Sequence, residues 1–216
     1  MRILAVDTTF GACSVAVRHG ALCLSRRFER MERGHAEALA PMVEAAMHES
    51  GLAYSQIERL GVTTGPGTFT GQRVGLAFMR GLRIALKQPL VGITSLRAMA
   101  QQALEETACV QAAAIHDARR DEVYFEVVRK DAPGEPQLMS FESALSAVVA
   151  FSRTAPVALA GTAAARVHEQ CAQATKLTAI VAPDADWVAK LCAQAPLSAE
   201  VPRALYLREP DAKRPS

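Results

Sequence analysis

The sequence predicts an α/β protein made of two similar units, each running βββαβαβα. Three observations carry this. Two groups of three strand-like runs are each followed by alternating helical and strand segments. The chain has 216 residues, 50% apolar and 21% charged, which is enough apolar material for two cores. The stretch Gly65–Gly81, GPGTFTGQRVGLAFMRG, sets a glycine-rich turn between a strand and a helix. The units are expected at 1–106 and 107–208, with 209–216 a disordered tail.

Ile3–Val6 reads as a short buried strand that ends on Asp7-Thr8-Thr9. Cys13–Arg18 alternates, with Val15 and Val17 on one face, and His19-Gly20 turns the chain into a third strand over Ala21–Phe28. His35–Ser50 has helical spacing, with Leu39, Val43, Ala46 and Met47 in one apolar stripe and Ala38, Met42 and Ala45 in a second. So wide an apolar circumference predicts cover on two sides, by its own sheet and by something else. Pro41 has no N–H to give residue 37, which predicts a kink or a start near Leu39. Strand 57–63, the glycine turn, helix 71–87, strand Leu90–Ile93 and a helix over 94–106 complete the unit. Thr68 and Thr70 are candidate N-caps for the first of these helices and Ser95 for the second.

The second unit repeats the order. Strands at Val110–Ile115, Glu122–Arg129 and Gln137–Phe141 precede helix 143–152, strand Pro156–Ala160, helix 162–174, strand 177–182 and helix 184–195. Ala204–Leu207 reads as a short docked segment.

Two readings compete for the glycine turn. Backbone N–H groups at a helix start, with glycine admitting a close ligand, can hold a phosphate; Asp7, Thr8, Gly65, Gly67 and Thr68 are then the contacts. Alternatively Gly71, Gly75, Ala77, Gly81 and Ala85 let the helix lie close to another backbone, which would offset the roughly 1 kcal/mol that each helical glycine costs. Neither a P-loop nor a GxGxxG dinucleotide pattern is present. Asp7 sits at the C-terminal end of the first strand, where open α/β sheets place ligands. It is equally a turn former, and Asp117 at the matching point of the second unit shares the ambiguity.

Other chemistry has little support. A net charge of +2, from 24 basic and 22 acidic residues, carries no strong nucleic-acid signature, and aromatics make up only 5% of the chain. Arg26, Arg27, Arg30 and Arg33 cluster after the third strand, as a solvated edge or, less readily, an RNA contact. Five scattered cysteines without a CxxC read as reduced thiols of a cytoplasmic protein. His168-Glu169 matches only half of HExxH, no two histidines have i,i+4 spacing, and GxSxG is absent, so neither a metal site nor a nucleophile is predicted. No apolar run reaches membrane length, and the N-terminus turns polar too soon for a signal peptide.

Ile3-Leu-Ala-Val-Asp-Thr-Thr, Ala12-Cys-Ser-Val-Ala-Val, His35-Ala-Glu, Pro41 and above all Gly65-Pro-Gly-Thr-Phe-Thr-Gly-Gln-Arg-Val-Gly closely resemble the TsaB (YeaZ) family. Asp117-Ala-Arg-Arg-Asp-Glu-Val-Tyr and Tyr206-Leu-Arg extend the resemblance into the second half. It implies a duplicated ribonuclease H-like unit of the actin/Hsp70 ATPase type. It also implies a role in placing threonylcarbamoyl on N6 of adenosine 37 in tRNAs that read ANN codons. In that family the chain is a non-catalytic partner of TsaD, joined by TsaE, and tRNA is met only through the complex. ATP or ADP and a metal belong to the partner proteins, TsaD holding its metal through an HxxxH motif that this sequence lacks. The family's dimer surface, with TsaD or with a second copy, is the pair of helices here at 35–50 and 71–87. Leu39, Met42, Val43, Ala46, Gly75, Phe78, Met79 and Leu82 are then the expected interface residues. The alternative is an ATPase or phosphotransferase that uses Asp7 and the 65–71 turn, and a metallopeptidase is a remoter one.

Overall fold

The computed structural model describes residues 1–129, 132–198 and 200–208, so the tail expected to be disordered lies outside the described residues. In the first half, β1 (Arg2–Asp7), β2 (Ala12–His19), β3 (Leu22–Arg30), β4 (Arg59–Gly65) and β5 (Leu90–Thr94) form one sheet, in the order β3-β2-β1-β4-β5. The first three strands pair antiparallel, while β1-β4 and β4-β5 pair parallel through the crossover helices α1 (His35–Ser50) and α2 (Phe69–Leu86). Helix α3 (Ser95–Thr107) leads into the second half.

There the pattern recurs. Strands β6 (Gln111–Asp117), β7 (Glu122–Arg129), β8 (Ala132–Pro133), β9 (Gln137–Ser140), β10 (Val157–Ala160) and β11 (Thr175–Leu177) form the second sheet. Its order is β11-β10-β6-β7-β8, with β9 also on β7. Helices α4 (Phe141–Ser152), α5 (Ala164–Cys171) and α6 (Ala185–Gln194) complete it. Both sheets therefore share one topology, the two-unit α/β architecture expected from the pattern of runs.

Side-chain alternation decides what covers each face. Leu4 and Val6 of β1 point into a core with Val15, Val17, Leu60 and Val62, closed by α1 and α2. Ile3 and Ala5 point the other way, against Val188, Ala189 and Cys192 of α6. On the second sheet, Ala113 and Ile115 meet Phe141, Val148 and Val167 of α4 and α5. Ala112 and Ala114 meet Leu96, Met99 and Ala103 of α3. The strands of the two sheets divide between β5 and β6, across α3, and α3 and α6 each lie on the sheet of the other half.

Several local expectations are corrected. Helix α1 runs unbroken through Pro41, which is exposed, as is Glu37, to whose carbonyl it has no N–H to donate. Thr68 caps α2, its hydroxyl accepting from Gly71 N–H (3.1 Å). Thr94, not Ser95, caps α3, because the Ser95 hydroxyl is spent on Thr9 (2.9 Å). The strand expected over 177–182 is only Thr175–Leu177, and Ile180 and Ala182 instead fill the core under α3. Helix 162–174 contracts to Ala164–Cys171. Among the described residues no helix is long and apolar enough to cross a membrane.

Helix α2 separates two kinds of position. Met79 is fully buried, whereas nothing lies within 4 Å of a Cβ built on Gly81. Met79→Ala is expected to cost about 2–5 kcal/mol by leaving a cavity. Gly81→Ala is expected to stabilise by up to about 1 kcal/mol. Urea denaturation of both variants checks the pair.

Candidate functional site

Strand β1, the central strand of its sheet, ends on Asp7 in a fully buried position. Its Oδ1 accepts from the Thr9 hydroxyl (2.6 Å), the Thr63 hydroxyl (2.6 Å) and the Thr9 N–H (3.1 Å). Its Oδ2 has no hydrogen-bond partner among the described residues. Burial pushes the carboxyl up to about 6, against the pull of the Thr63 and Thr9 hydrogen bonds. Ser95 links Thr9 to the start of α3, and the adjacent Thr94 hydroxyl donates to Glu126 (2.8 Å) on β7. Burial pushes Glu126 up to about 7, partly offset by that hydrogen bond. Two buried carboxyls, one on each sheet, thus flank the N-terminus of α3. Glu126 was legible only as a charge at an inward position of an apolar strand.

The glycine turn closes on this strand end, and its rim at Gly67, Thr68 and Phe69 borders a cleft. A Cβ at Gly67 would stand 2.3 Å from the Thr9 carbonyl, and one at Gly71 would stand 2.0 Å from that of Thr8. Thr68 N–H donates to Thr9 O (2.8 Å), and the buried Thr8 hydroxyl bridges Gly71 O (2.7 Å) and Gly75 N–H (3.1 Å). Gly65 is buried too, its Cβ position crowded by Gln72 and Leu205. Of the five phosphate contacts considered from sequence, only Thr68 is exposed, and its hydroxyl is committed to capping. At Asp7, Thr8 and Gly65 the space is occupied by the chain itself, while Gly67 and Thr68 border the cleft.

A cleft of about 780 Å³ opens beside the turn, between the two halves. Phe10 and Thr68 line one wall, and His116, Asp117, Arg119 and Arg208 the other. Phe10 stacks on His116 (centroids 3.6 Å apart), and burial lowers His116 to about 4, keeping the ring neutral. Asp117 is a turn former: its carboxylate accepts from Arg119 N–H (2.8 Å) and its N–H donates to Thr162 (2.9 Å). Among the described residues no group of three or more His, Cys, Asp and Glu is placed to hold a metal. In the basic cluster Arg26 pairs with Asp184 and Arg27 with Glu49. His35 contacts the Phe10 carbonyl (3.1 Å).

The helix pair α1–α2 is only partly the surface expected from sequence. Leu39, Met42, Val43, Ala46 and Met79 are buried in their own sheet's core. Gly75 is buried against Thr8, whose hydroxyl would lie 2.7 Å from its Cβ. These six answer to intramolecular packing. Phe78 and Leu82 remain half-buried at the outer rim with Val74 and Ala38, and between them Ala77, Gly81 and Ala85 are exposed. The outward stripe of α2 is therefore Val74, Ala77, Phe78, Gly81, Leu82 and Ala85.

Comparison with known proteins adds a frame. The family model "TsaD: tRNA N6-adenosine threonylcarbamoyltransferase" matches residues 29–145. The chain is 37% identical over 134 residues to the Escherichia coli tRNA threonylcarbamoyladenosine biosynthesis protein TsaB, covering 62% of this chain and 58% of that protein. It is 38% identical over 131 residues to the Haemophilus influenzae protein of the same name, covering 60% and 55%. The matches thus span little more than half the length of these curated relatives. Two solved structures from Pseudomonas aeruginosa align over nearly the whole chain. One is an uncharacterized protein with similarity to peptidase YEAZ (31% identity, TM-score 0.80, 96% of this chain and 99% of that one). The other is YeaZ itself (29%, 0.78, 95% and 99%).

The buried carboxyls make a signed prediction. The folded pKa of Asp7 lies above its unfolded value, so its stability contribution is complete below about pH 4 and is lost as pH rises to about 6, by about 3 kcal/mol. Asp7→Asn keeps an acceptor for Thr9 and Thr63 and is expected to flatten this fall. Urea denaturation of both proteins at pH 5 and pH 7.5 checks it; curves that stay parallel would show that Asp7 does not titrate as described.

Proposed function

Because the chain belongs to the TsaB (YeaZ) family, we propose that it acts in forming the threonylcarbamoyl group on N6 of adenosine 37 in tRNAs reading ANN codons. Its role there is that of a non-catalytic partner that binds and activates a TsaD transferase in the cytoplasm. The observation that carries this reading is the outward stripe of α2, where Ala77, Gly81 and Ala85 lie exposed between half-buried Val74, Phe78 and Leu82. A glycine with open space over its Cα gives an isolated helix nothing and lets a facing helix approach closely. The contact is made by α1 and α2 against the equivalent helices of TsaD, and a second copy of this chain uses the same surface when TsaD is absent. TsaE joins the pair, tRNA is handled by the assembly, and ATP or ADP and a metal are carried by the partner proteins.

The competing reading is an ATPase or phosphotransferase built on Asp7 and the 65–71 turn. Against it stand the complete burial of Asp7 and the packing of the turn onto Thr8 and Thr9. A nucleotide that meets this chain within the assembly would enter the cleft beside the turn.

The test is light scattering after size-exclusion chromatography, on the chain with TsaD of the same organism. Gly81→Arg is expected to weaken association at least 100-fold while the thermal melt of the isolated chain shifts by no more than a few degrees. Wild-type affinity in that variant would sink the helix-pair interface. No complex even with TsaE and ATP present would sink the partner role.

A further inference from the structure

The geometry points to a second working surface on α2: a basic flank, set against Ser198 and residues 200–206, that binds the phosphate backbone of RNA. This rests on the reading above that the chain works on tRNA, and it adds a direct contact to that reading. Phe69, Arg73, Arg80, Arg83 and Lys87 follow one another at intervals of four, seven, three and four residues, so they share one side of the helix. Around the core side, the buried positions Gln72, Leu76 and Met79 lie between this side and Phe78 and Leu82, while on the solvent side Arg73 adjoins exposed Ala77 of the apolar stripe. A partner centred on Phe78 and Leu82 leaves Arg83 and Lys87 open.

The charge there is unbalanced. Helix α2 contains no acidic residue. Five arginines elsewhere pair with a carboxylate, Arg2 with Glu58, Arg18 with Asp186, Arg26 with Asp184, Arg27 with Glu49 and Arg208 with Glu122, while others such as Arg30, Arg33, Arg97 and Arg153 have none among the described residues. Among the described residues, Arg73, Arg80, Arg83, Lys87 and Arg203 have no carboxylate within ion-pair distance. Two adjoining hollows of about 460 and 410 Å³ lie along the flank, sharing Arg83, Ile84 and Glu200. Four cations, Arg80, Arg83, Lys87 and Arg203, line them, against the single carboxylate of Glu200. Arg80 also donates to the Pro202 carbonyl, and Leu205 N–H donates to Thr64 O (2.8 Å), so the far wall is held in place.

At the other end of the flank is a stacking surface. Phe69 and Tyr206 are 52% and 45% exposed, with ring centroids 5.6 Å apart. The Arg73 guanidinium lies 3.5 Å from the Phe69 centroid and its Nε donates to the Tyr206 hydroxyl (3.0 Å). Exposed rings this size, fixed by a cation, are costly to leave in water and suit a nucleobase face. From Phe69 to Lys87 the flank runs roughly 27 Å at 1.5 Å per residue. Guanidinium groups in series with an aromatic pair favour an RNA strand over an acidic protein segment, which needs no stacking surface.

The experiment measures fluorescence anisotropy of an unmodified tRNA transcript with the full chain, alone and with TsaD, across salt concentrations. Arg83→Glu/Lys87→Glu/Arg203→Glu spares Arg80, which holds the far wall. It is expected to weaken binding at least 10-fold and to flatten the log–log salt slope by about 2 to 3. Association with TsaD should not change. Phe69→Ser/Tyr206→Ser is expected to weaken binding several-fold with the salt slope unmoved. Wild-type RNA affinity in the triple variant would overturn the proposal, as would loss of TsaD binding in that variant, which would make the flank a protein contact. Displacement of the tRNA by poly-glutamate at equal charge would overturn it in favour of an acidic protein. If the wild-type chain fails to join TsaD, the partner role falls, and the comparison on the chain alone still decides this surface.

Discussion

Each sheet buries one face under helices of its own half and the other under a helix delivered from the far half. Val188, Ala189 and Cys192 of α6 seal Ile3 and Ala5, while Leu96, Met99 and Ala103 of α3 seal Ala112 and Ala114. This exchange is the constraint on which the rest depends, because neither half can be removed without stripping the other of a core. Polar contacts pin it. The Ser14 hydroxyl donates to the Pro183 carbonyl (3.2 Å) and accepts from Ala185 N–H (2.9 Å), and the buried Arg18 pairs with Asp186. The small residues at Ala112, Ala114, Ala158 and Ala160 let α3 sit low on the second sheet.

The N-terminus of α3 lies where this exchange begins, and there Asp7 Oδ1 accepts from the Thr9 and Thr63 hydroxyls, Thr9 in turn is bonded by Ser95, and Glu126 accepts from Thr94. A carboxylate so enclosed is a structural part, with its charge tuned by burial. The glycine turn serves the same enclosure by bringing α2 within contact of Thr8 and Thr9. The outside of α2 is left free for interaction. Its inner side is core, one flank is apolar and rich in small residues, and the other is basic and ends in an aromatic pair.

Much of the fold was legible. Strand alternation at Val15 and Val17, helical spacing from Leu39 to Met47, and a repeated order of runs depend on local periodicity, which the chain carries in every window. Thr68 as a cap was legible for the same reason. Ser95 and Thr94 could not be told apart, because which hydroxyl caps α3 is decided by Thr9, 86 residues away along the chain. Residues 178–182 look like strand for their apolar content, yet only a core beneath α3 explains their burial.

By itself the sequence determined the α/β class, the doubled βββαβαβα order, the glycine turn and the family, since these rest on residue pattern and motif. Tertiary structure decided the rest. Leu39, Met42, Val43, Ala46, Gly75 and Met79 turned inward and Ala77, Gly81 and Ala85 outward, because a helix with apolar residues around most of its circumference can place any side on its sheet. The sheet's position selects one. Likewise Asp7 proved enclosed, not ligand-facing, because the carbonyls that fill the glycine space come from a strand almost sixty residues earlier, a proximity no local window contains.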